Sequence, residues 1–176
     1  MNLPNKLTML RIILIPIFII LLMTGHYYAA AAIFIIASAT DALDGHIARK
    51  YNLITNFGKI MDPLADKLLV TSALICLVEL GEIAGWMVIV ILAREFVITG
   101  LRTVAAGGGV IIAAGNSGKI KTVLQMVALI IILLRNWPFA LFTNVDVGLI
   151  LLWAALIMTV YSGLEYIAKN KKIFTM

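Results

Sequence analysis

The chain has 176 residues, 62% of them hydrophobic and only 13% charged, with a formal net charge of +5 and a mean hydropathy of +1.06. That balance departs from a soluble globular domain and indicates an all-α integral membrane protein, organised as one membrane domain over residues 1–176. The basic residues lie beside apolar runs rather than in aromatic-interleaved patches, which speaks for a lipid bilayer with anionic headgroups and against nucleic acid as the partner.

Apolar windows of about twenty residues predict a bundle of about six transmembrane helices, at 7–24, 27–44, 66–80, 83–101, 120–136 and 145–168. The first follows Lys6 and contains Arg11, a pattern shared with secretory leaders. Because further spans follow, it is read as an uncleaved first helix, with Pro16 as a kink site. The third has two possible starts. Either Asp62 caps it, or it begins near Asn56 and is kinked at Pro63. Cys76 lies in an apolar run with no second cysteine to pair with, and is read as a buried small residue. Gly107-Gly108-Gly109 interrupts the helical pattern after the fourth span. Tyr27, Tyr28, Trp86, Trp137 and Tyr166 stand near span ends, where interfacial anchors belong.

Every lysine and arginine except Arg135 falls on one side if both termini share it. The positive-inside rule then places the termini, residues 41–66 and residues 94–121 on the cytoplasmic face of a bacterial-type cell membrane, with the chain crossing it several times.

Residues 41–66 hold four of the nine acidic residues: Asp41, Asp44, Asp62 and Asp66. Carboxylates beside apolar spans are costly and mark function. Asp41 and Asp44 are three apart and Asp62 and Asp66 four apart, so each pair shares a face if its segment is helical. Brought together, four carboxylates repel one another unless cations neutralise them. An oxygen-only donor set suits magnesium, manganese or calcium rather than zinc. Two such ions fit the usual phosphoryl-transfer arrangement. Gly45 and Gly58 leave backbone bare beside the acids, and Arg49 offers a planar fork of donors for a phosphate.

The complete spacing, Asp-x2-Asp-Gly-x2-Ala-Arg-x8-Gly-x3-Asp-x3-Asp, resembles the signature of the CDP-alcohol phosphotransferases at every defined position. The resemblance implies transfer from a CDP-linked donor to an alcohol, with release of CMP. It also implies that Asp41, Asp44, Asp62 and Asp66 hold two divalent ions, Mg2+ or Mn2+, and that Asp66 is in addition the catalytic base. Asn5, Thr8, Gly45, Ala48, Arg49, Thr55 and Gly58 would line the CDP site. Asn5 and Thr8 have a second reading as helix caps.

The opening stretch Asn2-Leu3-Pro4-Asn5-Lys6-Leu7-Thr8-Met9-Leu10-Arg11 is similar to the family branch that forms phosphatidylglycerophosphate. So are Arg94-Glu95 through Arg102, Gly118-Lys119-Ile120-Lys121-Thr122, and Tyr161-Ser162-Gly163 with Tyr166. The implied substrates are CDP-diacylglycerol and glycerol 3-phosphate, with Arg94, Arg102, Lys119 and Lys121 as candidates for the acceptor phosphate, and the implied assembly is a homodimer. Lys119 and Lys121 could instead anchor a span end, and Arg94 could pair structurally with Glu95. Two other functions compete: a relative acting on serine, inositol phosphate or choline, and a divalent-cation carrier. Against the carrier, Glu79, Glu82 and Asp146 form no acidic relay towards the opposite face.

Overall fold

The structure, a computed structural model, describes residues 3–50, 56–108 and 115–170, excepting the side chains at 3–6, 41–50, 56–60, 62, 63 and 66. Among the described residues there are six α-helices and no strand. They are α1 (Leu3–Met23), α2 (Tyr27–Lys50), α3 (Asn56–Glu79), α4 (Gly85–Gly107), α5 (Asn116–Leu133) and α6 (Val147–Lys169), with one short 3-10 turn at Phe139–Leu141. The all-helical expectation therefore holds. Helices α5 and α6 are long and apolar enough to cross a membrane, and α1 and α2 contain the shorter apolar runs Leu7–Met23 and Tyr27–Thr40. Large aliphatic and aromatic side chains stand on outward faces, among them Ile20, Ile89, Phe96, Ile157 and Leu164. Water penalises such faces, whereas hydrocarbon does not.

The helices overrun the apolar windows where the polar motifs lie. Helix α2 continues to Lys50 and α3 begins at Asn56, so the earlier of the two starts holds and the helix passes through position 63. Helix α4 ends at Gly107, where the Gly108 N–H reaches back to the Val104 and Ala106 carbonyls. Helix α5 starts a turn earlier than its apolar run. It ends earlier too, because Arg135 and Asn136 adopt left-handed backbone (φ 56° and 60°).

The chain forms two compact units, one of Met1–Glu82 with Leu133–Trp137 and one of Ile83–Ile132 with Pro138–Met176. In the first, α1 packs on α2 and α3. Its buried stripe runs Thr8, Arg11, Ile15, Phe18 and Leu22, the alternating three-and-four spacing of one helical face. Facing it are Ala30, Phe34 and Ala37 of α2 and Ala65, Leu69, Ala73 and Leu77 of α3. The Phe18 and Phe34 rings meet at 5.7 Å. Cys76 is buried in α3, as expected of a small core residue.

Two matching caps close α1 and α3. Gly25 (φ +82°) donates to the Leu22 carbonyl while His26 donates to Leu21; Gly81 (φ +73°) donates to Val78 while Glu82 donates to Leu77. Both are Schellman endings, in which glycine takes the left-handed position at little cost. Arg135 pairs with Glu82 and lies over the Tyr27 ring, 4.7 Å from its centroid.

In the second unit α4 packs on α6. The buried face of α6 is made of small and medium residues, Gly148, Leu152, Ala155, Thr159, Ser162 and Gly163, with Tyr166 at its end. Small residues let helix backbones approach closely where no hydrophobic effect drives association. Trp86 and Trp153 add a tilted ring pair at 5.4 Å. Asp146 caps α6 by accepting from the Leu149 N–H at 2.9 Å.

Gly148 marks the tightest approach in this unit. A Cβ there would lie 2.7 Å from Ile132 Cγ1 and 3.0 Å from the Ile132 backbone nitrogen. Gly148→Ala is therefore expected to destabilise the detergent-solubilised protein by about 1–3 kcal/mol, read as a lower unfolding midpoint. An unchanged midpoint would mean that α6 does not approach α5 this closely.

Candidate functional site

The motif of residues 41–66 lies on two neighbouring helices of the first unit. Positions 41, 44, 45, 48 and 49 are on the second half of α2, and positions 58, 62 and 66 on the first half of α3. Both stretches are continuous helix, so 41 and 44 are a turn apart and 58, 62 and 66 recur on one face. The side chains of Asp41, Asp44, Asp62 and Asp66 lie outside the described residues. So do those of Asn5, Ala48 and Arg49, the surroundings of Gly45 and Gly58, and the whole of Thr55. Asn5 is within α1.

Thr8 is described. It is fully buried, and since α1 begins at Leu3 it sits in the helix body, which removes the capping alternative for it. One turn on, Arg11 is also 0% exposed, on the stripe that faces α2 and α3. A guanidinium this deep requires anionic or acceptor partners, because an uncompensated buried charge costs several kcal/mol at least. Arg11 belongs to the opening stretch that carries the resemblance but is not among the expected site residues. The available signal was a cation placed four residues inside an apolar run.

The second unit contains a small open cavity of about 40 Å3 lined by Arg94, Arg102, Gly115, Ser117, Gly118, Ser162, Glu165, Tyr166 and Lys169. Arg94 is its most constrained member. Its Nη1 donates to Glu95 at 3.0 Å and its Nη2 to Ser162 Oγ at 3.1 Å. Two glycines make room for it: a Cβ at Gly118 would lie 3.3 Å from Arg94 Nη2, and one at Gly163 would lie 3.2 Å from Arg94 Cγ. Arg94 Nε is buried and has no hydrogen-bond partner among the described residues. Such a donor is costly unless something accepts from it.

Arg102 lies two turns further along α4. Its Nε donates to Tyr166 Oη at 3.2 Å, and its guanidinium carbon sits 5.4 Å from the Tyr166 ring centroid. Residues Gly115, Ser117 and Gly118 bring the first turn of α5 to the cavity. Unsatisfied N–H groups and the positive end of the helix dipole favour an anion there. Two arginines and a helix start thus converge on one cavity, which is suited to a phosphate.

The other two predicted cations take different positions. Lys121 is 3% exposed and donates to Glu95 at 2.7 Å, the same carboxylate that holds Arg94. A span-end anchor would instead be exposed. Lys119 is exposed and does not line the cavity. The pairing of Arg94 with Glu95, open at the level of sequence, is present, yet it leaves Arg94 facing the cavity. Ser117, Gly118, Glu165 and Lys169 carry no sequence signal as lining residues, Ser162 has no role in the sequence reading, and Tyr166, expected as an interfacial anchor, is instead buried against Arg102. Glu165 Oε2 accepts from Ser117 at 2.5 Å, and Oε1 from Lys169 at 2.5 Å. The contacts that give these residues meaning span 48 to 68 positions of sequence, for which no local pattern exists.

Comparison with known proteins shows the family of the chain. A sequence model of the CDP-alcohol phosphatidyltransferase family matches residues 1–161. A Bacillus subtilis protein named CDP-diacylglycerol–glycerol-3-phosphate 3-phosphatidyltransferase is 50% identical, covering 96% of this chain and 95% of its own. Proteins of the same name from Rickettsia felis (42% identical; 98% of this chain, 97% of its own) and Shigella flexneri (38%; 95% and 93%) are also similar.

The cavity makes a prediction independent of any reaction. Ser162→Ala removes an acceptor from Arg94, and Gly163→Ala pushes on its stem. Each is expected to weaken inorganic phosphate binding about three- to tenfold in calorimetry on the solubilised protein. Unaltered phosphate affinity in both would show that the anion binds elsewhere.

Proposed function

Because the chain belongs to the CDP-alcohol phosphatidyltransferase family, we propose that it transfers the phosphatidyl group of CDP-diacylglycerol to sn-glycerol 3-phosphate, forming phosphatidylglycerophosphate and CMP. The observation that carries the acceptor assignment is the cavity of Arg94 and Arg102, with a buried arginine donor that no described residue satisfies. Serine and choline bear no phosphate to place there. The names of the full-length relatives favour glycerol 3-phosphate over inositol phosphate.

The roles divide between the two units. In the first, Asn5, Thr8, Gly45, Ala48, Arg49, Thr55 and Gly58 take the cytidine diphosphate portion of the donor. The absent Cβ at Gly45 and Gly58 favours close approach to backbone, and Arg49 suits a phosphate bidentately. Helical spacing and an oxygen-only donor set fit two divalent ions, Mg2+ or Mn2+, held by Asp41, Asp44, Asp62 and Asp66. When bound, such ions neutralise the pyrophosphate and stabilise the departing CMP.

Asp66 takes the proton of the acceptor's primary hydroxyl. The freed oxygen attacks the phosphorus that bears diacylglycerol, the bond to CMP breaks, and CMP leaves with the electron pair. In the second unit Arg94 and Arg102 hold the acceptor phosphate, Lys169 adds charge at the rim, and Lys121 acts one step back by fixing Glu95. Lys119 contributes general positive charge.

We assign the six helices to six spans of a cell membrane, with both termini and the reacting groups cytoplasmic, and the working form to a homodimer. The charge asymmetry of the sequence supports the orientation, and the one exceptional cation, Arg135, is paired with Glu82. The carrier alternative loses ground on the same evidence. Glu82 is committed to Arg135 and Asp146 to capping α6, so neither is available as a relay.

With Mg2+ or Mn2+ present, purified protein should release CMP from CDP-diacylglycerol only when glycerol 3-phosphate is added, and a chelator should stop it. Asp66→Asn should lower turnover roughly 10^2- to 10^4-fold while leaving helical content unchanged. Arg94→Lys should raise KM for glycerol 3-phosphate about tenfold or more without changing KM for CDP-diacylglycerol. No CMP release under these conditions would dismiss the assignment, and equal use of serine would reassign the acceptor.

A further inference from the structure

The phosphate cavity contains one group that a phosphate site does not need. Glu165 lines it, contributed by α6 between Ser162, which holds Arg94, and Tyr166, which holds Arg102. A carboxylate beside a phosphate dianion is repulsive, so its presence requires another explanation. It is held firmly in place. Oε2 accepts from Ser117 and Oε1 from Lys169. A carboxylate has about four acceptor positions, two on each oxygen. One on each oxygen remains after these two bonds, and an acceptor-only group can take a donor but not a phosphate.

We propose that Glu165 is the hydroxyl-reading residue of this cavity, accepting a hydrogen bond from the C2 hydroxyl of the acceptor while Arg94 and Arg102 hold its phosphate. The inference rests on the acceptor assignment above and refines it. The cavity selects a polyol phosphate over a simple phosphomonoester. Ser117 and Lys169 are positioning residues in this scheme: they orient the carboxylate and offset its charge, which keeps the repulsion of the nearby phosphate small. Helix geometry supports the pairing, because residues three apart on α6, Ser162 and Glu165, have Cβ atoms about 5–6 Å apart. Arg94, Arg102 and Glu165 line one cavity, so a ligand whose phosphate meets the arginines can present a neighbouring hydroxyl to Glu165. Removing such a charged hydrogen bond should cost about tenfold or more in acceptor use.

The test compares sn-glycerol 3-phosphate with 1,3-propanediol monophosphate, which keeps the primary hydroxyl and the phosphate but lacks the C2 hydroxyl. Wild-type enzyme should prefer the glycerol compound in kcat/KM by about tenfold or more. Glu165→Ala and Glu165→Gln should reduce that preference towards unity by losing activity on glycerol 3-phosphate alone, with KM for CDP-diacylglycerol unchanged. A merely structural Glu165 would lower both acceptors equally, and a merely repulsive one would, when removed, improve both. Either result overturns the proposal, as does a wild-type enzyme that uses the two acceptors equally. Failure of wild type to transfer to either acceptor would instead overturn the acceptor assignment itself, and this inference with it.

Discussion

A guanidinium inside an apolar helix bundle must be satisfied on every side, and the second unit is built around meeting that requirement for Arg94. Glu95 takes one terminal nitrogen and Ser162 the other. Lys121, itself almost fully buried, balances the same glutamate from α5. Gly118 and Gly163 stand where any side chain would press on the arginine. Residues of three helices are thus chosen by one side chain, and the face left over is the cavity. Burial of an ionic group is weak evidence for stability, since well-packed apolar residues often serve as well. Here one buried donor, Arg94 Nε, is left without a hydrogen-bond partner among the described residues.

The first unit answers a different demand. Its helices must continue past the apolar runs so that acidic positions stay in register. Helix α2 extends to Lys50 and α3 begins at Asn56, which keeps the two aspartate pairs at one-turn spacing. At the other end, two glycine-based Schellman endings stop α1 and α3, while the left-handed residues Arg135 and Asn136 turn the chain after α5. A polar stripe of Thr8 and Arg11 interrupts the otherwise apolar buried face of α1. That interruption is unfavourable for packing alone and lies on the helix that adjoins both motif-bearing helices.

The two units carry complementary chemistry. The acidic motif belongs to the first and the arginine-lined cavity to the second. Within the cavity, Arg94 and Arg102 share the lining with the carboxylate of Glu165. Lys121 illustrates how indirect a contribution can be: it lies in a segment that resembles a substrate-binding motif, yet its observed partner is Glu95.

The membrane class, the helical architecture and the spacing of the aspartate motif were legible in the sequence because each is a local pattern. Hydropathy runs define helices, and the four aspartates within residues 41–66 form two pairs, each about one helical turn apart. Arg94 and Arg102 could be named as cations on the same grounds. What they do could not. Ser162, Tyr166, Glu165 and Gly118 acquire roles only through contacts with residues far away in the chain, and a buried Lys121 reads in sequence like any basic residue at a span end. The sequence by itself determined which groups are present and how they repeat along each helix. Only the tertiary structure decided which of them face a shared cavity, because burial and charge pairing are set by helix packing, which no local pattern encodes.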